Sequence, residues 1–383
     1  MNPAVPDAQV VTHVVTDFRL ARARESRLAW YFGGAYLLVI VYASLSPFTG
    51  WATPGLPPLA FLQEPWPRRW QYFDMFVNML AYVPLGLLLT LALMRWMRPA
   101  LAMALVLVAG TLLSLGLETG QMYLPTRVAS KVDVLLNAAG TALGALLAVR
   151  TGRMPLWARF HELRERWCLP GRIVEPGLAL LAIWFLTQVD PSLPLLSVLS
   201  LPDALPIPNT GFIPPREFSL PSAAAVAINT LAISLFVMAL MRQRWRALIA
   251  MCALVATAAS IKLAVAVVML KARAVFIWLS AEVVIGIALG MAVAALMLAL
   301  PRTAVIRLGI GALACSFVST HLFNDPTQPG LALWPFRWTY GQLLNYTGLA
   351  RTVAELWPIA AAWYLLRLLR SLQSAAAGRA GSL

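Results

Sequence analysis

The stretch PALAMALVLVAGTLLSLGLET, residues 99–119, holds a single ionisable side chain, Glu118, near its end. A proline-opened apolar run of this length matches an α-helix crossing the roughly 30 Å hydrocarbon core of a bilayer. Comparable windows lie near 28–48, 74–94 and 132–150, then near 176–190, 222–241, 247–270, 274–299, 303–322 and 347–366. The fifth is short and bounded by prolines, which makes it the weakest. Of 383 residues, 60% are hydrophobic and 12% charged, and the mean hydropathy is +0.74, far from an ordinary soluble domain. The sequence therefore predicts an all-α, polytopic helical membrane protein with about ten transmembrane helices.

The net charge of +14 is explained by where the cations fall. With the N-terminus cytoplasmic, one face of the membrane receives Arg19 to Arg27, Arg95, Arg98, the cluster Arg150 to Arg172, Arg242 to Arg246, Arg302, Arg307 and the C-terminal arginines. The other face receives far fewer, among them Arg127, Lys131, Lys271 and Arg273, while Lys262 and Arg351 fall inside helices. This is a positive-inside pattern with both termini cytoplasmic. The basicity reflects topology and the anionic inner leaflet, so membrane lipids are the expected partners and nucleic acid is not. Val41-Tyr42-Ala43 resembles a cleavage site, but the apolar run is longer than a signal core and reads as an uncleaved anchor. Cys168, Cys252 and Cys315 suggest no disulfide framework, and His13, His161 and His321 are too scattered for a metal site. No phosphate-binding loop or nucleophile elbow is present, so no cofactor is expected.

Along the chain, residues 1–27 form a basic N-terminal segment and 28–150 a four-helix membrane domain. The arginine-rich stretch 151–175 is a linker lying on the cytoplasmic surface, 176–370 a second membrane domain of about six helices, and 371–383 a tail. The proline-dense loop 190–221 reads as an extended cover. Arg127, Gly140 and Gly144 recur at the same offsets as Arg273, Gly286 and Gly290, and Asn229 echoes Asn78 with a gap, which points to a degenerate parallel repeat. In that alignment Leu279 and Val283 replace Asp133 and Asn137, so a second copy lacks the polar stripe.

The polar residues of the first domain fall at helical spacing. Asp74 and Asn78 are four apart; Ser114, Glu118 and Gln121 follow i, i+4, i+7; Asp133, Asn137, Gly140 and Gly144 follow i, i+4, i+7, i+11. Since the second and fourth helices begin where the third ends, all three polar faces can meet in one pocket, on the non-cytoplasmic side. Polar and ionisable groups inside a membrane are costly, so they are either internally paired structural groups or a site. As a site, Glu118 or Asp133 would serve as general base and Arg127 as an anchor for phosphate or carboxylate. Asp74, Asn78, Ser114, Gln121 and Asn137 would bind the ligand. Gly140 and Gly144 would let a neighbouring helix approach closely.

The strings Asp74-Met-Phe-Val-Asn78 with Pro84-Leu85-Gly86, Glu118-Thr-Gly-Gln121, Pro125-Thr-Arg127 and Asp133-Val-Leu-Leu-Asn137-Ala-Ala-Gly140 resemble the VanZ-like family, as does Tyr42-Ala-Ser-Leu45-Ser-Pro47-Phe48. The likeness covers about residues 28–150. It implies a four-helix membrane domain, tied in some members to lowered sensitivity to glycopeptide antibiotics, and a bacterial inner-membrane location. It supplies no reaction. Three readings follow: a protein acting on or beside envelope lipids, lipid-linked glycans or cell-wall precursors; an envelope-modifying enzyme; and a transporter with Lys262 and Glu282 in its path. Those two residues are expected about 12 Å deep on neighbouring helices, as a buried ion pair. Arg351 and Glu355 are expected to pair along one helix, and Trp334, Phe336, Trp338 and Tyr340 to form an interfacial belt.

Overall fold

A computed structural model describes residues 26–46, 48–66, 72–152, 155–191, 193, 195–196, 218–323 and 342–380. The aromatic cluster 334–340, most of the proline-dense loop and the basic N-terminal segment lie outside these residues. The described elements are eleven helices and a few 3-10 turns, with no strand among them: α1 Leu28–Leu45, α2 Tyr72–Leu93, α3 Pro99–Gln121, α4 Lys131–Thr151, α5 Pro155–Trp167, α6 Val174–Trp184, α7 Leu220–Leu240, α8 Arg244–Met269, α9 Ala281–Leu296, α10 Arg302–Phe323 and α11 Gln342–Ala380. Eight of these are long and apolar enough to cross a membrane. The fifth window forms α6 followed by the 3-10 turn Phe185–Val189, and the tenth lies within α11. The protein is an all-α polytopic membrane protein.

The chain divides into two compact units on either side of the Arg166 to Trp167 step. In the first, α2 and α4 form the tightest pair, with α3 against α4 and α1 against α2. Glycine sets that spacing. A Cβ on Gly140 would stand 2.0 Å from the Met79 carbonyl oxygen, one on Gly144 2.0 Å from that of Val83, and one on Gly86 2.2 Å from that of Thr141. No other residue type permits backbones this close. The helix surfaces sort as a bilayer demands. On α3 the residues Ala102, Val106, Gly110, Ser114 and Leu117 are buried, while Leu101, Leu105, Val108 and Leu112 are exposed on the opposite stripe.

In the second unit α7 is the central helix, packed by α9 and α10. Gly286 and Gly290 on α9 meet the carbonyls of Ala223 and Ala227 on α7, with would-be Cβ distances of 2.7 and 2.6 Å. Both units thus place a Gly-x-x-x-Gly helix against carbonyls four residues apart on a partner helix. Asn78 and Asn229 do not correspond in this packing, because Asn78 precedes the Met79 contact whereas Asn229 follows the Ala227 contact. Asn229 instead accepts a hydrogen bond from Ser316 on α10.

The eighth window starts later than its hydropathy suggests. Residues 272–279 turn through a 3-10 segment, and α9 begins only at Ala281. Glu282 therefore lies in the first turn of its helix, where its Oε1 accepts from the Ser219 backbone N–H at 3.2 Å and caps the start of α7. Lys262 lies seven residues before the end of α8, fully buried, with the Asp190 carboxylate within electrostatic reach. The expected Lys262 to Glu282 ion pair is thus corrected: the shifted helix start commits the glutamate to a neighbouring helix terminus. The Arg351 to Glu355 pair is likewise replaced, since Arg351 Nε lies 4.0 Å from Asp190 Oδ2 while Glu355 is exposed.

Candidate functional site

The polar cluster occupies the end of the first unit where α1 and α3 finish and α2 and α4 begin. Ser114 and Asn137 are buried and joined, the Asn137 side-chain amide donating to Ser114 Oγ at 2.9 Å. Glu118, one turn beyond Ser114, is 4% exposed, and its Oε2 accepts from the Ser130 backbone N–H at 2.8 Å. Ser130 is the N-cap of α4, and its hydroxyl accepts from the Val132 N–H. The side chain of Glu118 therefore holds the entry to α4, while the charges of half-buried Asp133 and Arg127 lie within reach of its carboxylate.

Gln121 and Arg127 have a different task from the one their chemistry alone suggests. The last carbonyls of a helix have no partner within it. For α1, Tyr42 O accepts from Ser46 N and Leu45 O from Phe48 N. Ser44 O accepts from the Gln121 side-chain amide at 3.0 Å, and Ala43 O and Ser46 O accept from Arg127 Nη2 at 2.8 and 3.2 Å. Charge-assisted bonds of this kind are strong. The guanidinium expected to bind a ligand anion is thus turned to the carbonyl end of α1, where an unsatisfied backbone beside lipid would be costly.

Lys131 is similarly engaged. Its ammonium donates to Glu64 O and stands 4.5 Å from the Trp66 ring centroid. This draws residues 48–66 over the cluster, where Ala52 N donates to Tyr123 O at 2.9 Å. Phe61, 2% exposed, packs with Leu115, Met122, Ala129 and Val134. The cover escaped sequence reasoning because its Pro, Trp and Gly content reads as an ordinary loop.

Of the remaining site residues, Asn78 is half-buried on α2, one turn before Tyr82. Asp74 falls in the first turn of α2, and its side chain lies outside the described residues. Tyr82, 4% exposed, was not anticipated: its hydroxyl lies within reach of Ser114 and of the charge of Glu118. Its spacing of four from Asn78, which sets both on one face of α2, was the available signal. One acceptor is left over. Asn137 Oδ1 is buried without a hydrogen-bond partner among the described residues, a condition that few buried polar atoms tolerate. The site therefore offers an orphan amide oxygen and two neighbouring carboxylates beneath a peptide cover.

These features define a helical membrane domain whose interior polar groups gather at one end. Residues 29–153, spanning α1 to α4, match the VanZ/LLP1 family, so this part of the chain is a VanZ-like domain. No curated protein and no solved structure matches the chain.

Proposed function

We propose that the VanZ-like domain binds a hydroxyl-bearing or amine-bearing group of a cell-envelope lipid, lipid-linked glycan or cell-wall precursor at the outer leaflet of a bacterial inner membrane. Both termini are cytoplasmic in this reading. The observation that carries it is Asn137 Oδ1, buried beside Ser114 with no partner among the described residues: an acceptor left over calls for a ligand that donates. Glycopeptide sensitivity would then change through the amount or exposure of such a precursor.

A second reading, an enzyme, is favoured by the proximity of the Glu118 and Asp133 carboxylates, since two like charges sharing a site leave one able to take a proton. Arg127 then acts by holding α1. The deciding experiment complements a deletion strain with wild type, Glu118→Gln or Ser114→Ala and compares envelope lipid profiles and teicoplanin susceptibility. Glutamine keeps the acceptor for Ser130 N–H, so Glu118→Gln should accumulate in the membrane normally yet fail to restore the profile. Full complementation by both variants would make the cluster a structural one.

A further inference from the structure

Among the described residues, the second unit buries a charged group with no hydrogen-bond acceptor. Lys262 lies about 10 Å from the end of α8 at ~1.5 Å per residue. It is fully buried, and Nζ has no hydrogen-bond partner. An ammonium withdrawn from water in this way is expensive unless its charge and its donors are both met. Asp190, just after the 3-10 turn Phe185–Val189 that packs on α8 and α11, is fully buried and meets part of that charge. The same carboxylate also faces Arg351 on α11, whose Nε lies 4.0 Å away and has no hydrogen-bond acceptor. Glu355 on α11 is exposed, Glu175 lies at the far end of α6, and Glu282 caps α7. Among the described residues two cations therefore share one carboxylate.

We propose that Asp190, Lys262 and Arg351 form a binding site for a small oxyanion, carboxylate or phosphate. Its charge completes the pairing, and its oxygens accept from Lys262 Nζ and the Arg351 guanidinium. Arginine supplies a planar fork suited to either group, and lysine a point charge. Arg351, with a side chain 36% exposed, marks the side of approach, and Lys262 is the inner contact.

The test is thermal unfolding of the full-length protein in neutral detergent, titrated with sodium phosphate or sodium acetate at ionic strength held constant with sodium chloride. A saturable rise in Tm with at least one oxyanion is expected. Asp190→Asn removes the competing carboxylate and should lower the half-saturating concentration about tenfold or more, whereas Arg351→Gln should raise it by a similar factor. Lys262→Met should abolish the rise while unfolding no lower than wild type, because a desolvated ammonium has been removed. Should that variant fail to fold, the opposed shifts of the other two still decide. Nanodiscs of phosphatidylglycerol against phosphatidylcholine separate the sources: a rise in phosphatidylglycerol alone, lost in Arg351→Gln, assigns the oxyanion to a lipid headgroup. Absence of a saturable rise in every format, or an identical response in wild type and all three variants, overturns the proposal.

Discussion

Asn137 concentrates the tension between stability and use. Its amide donates to Ser114 while its oxygen has no partner, so an apolar residue of the same size loses one hydrogen bond and relieves one buried unsatisfied acceptor. The lost bond costs about 0.5–1.5 kcal/mol and the relieved acceptor returns about 1–3 kcal/mol, so the two effects oppose each other. Asn137→Leu should therefore leave Tm unchanged or slightly raised in a detergent melting assay, while losing complementation of the envelope phenotype. A clear fall in Tm would show that the side chain serves packing alone. Ser114, Glu118 and Asn137 were legible because helical spacing reports which side chains share a face. The role of Arg127 was not, because residue type says that a guanidinium seeks oxygen without saying whose. At this position the guanidinium donates to two carbonyls at the end of α1, and Arg127→Met should lower Tm by several degrees through two lost charge-assisted bonds of about 1.5–3 kcal/mol each.

The pairing of α2 with α4 depends on backbone contact, and side chains contribute little where the glycines sit. Gly144→Val would drive a branched side chain into the Val83 carbonyl and force the helices apart, costing more than the ~1–3 kcal/mol of ordinary overpacking. Loss of folded protein in size-exclusion chromatography is expected, whereas Gly116→Val, where nothing lies within 4 Å, should behave as wild type. The elements themselves were readable from hydropathy because a bilayer imposes both length and polarity. Boundaries were less so: residues 272–279 are apolar enough to extend α9, yet they turn, and that shift separates Glu282 from Lys262. The cover of residues 48–66 has its own dependence. Phe61→Ala should loosen it and speed proteolysis between Trp51 and Trp66 with little change in the helices, which limited digestion would reveal.

In the orientation proposed from the positive-inside pattern, the polar end of the VanZ-like domain faces the outside of the cell. Thr126 is exposed in the loop at that end. With Cys168→Ser, Cys252→Ser and Cys315→Ser as background, Thr126→Cys should react with a membrane-impermeant maleimide in intact spheroplasts; reaction only after lysis would reverse the orientation. Charge counting reaches this level of description because insertion reads loops, but it says nothing about which helix is enclosed by others. That distinction belongs to α7, with 78% of its apolar window buried, against 17–44% for the other spans. A segment so enclosed begins its life surrounded by acyl chains, since the translocation machinery releases helices in order. It must trade that lipid coat for protein once α9 and α10 emerge. Until then the nascent chain carries a sticky, incompletely sheltered span, the state that membrane proteases and insertase chaperones are built to detect. Synthesis rate across residues 244–323 would thereby govern how much of the protein survives to maturity.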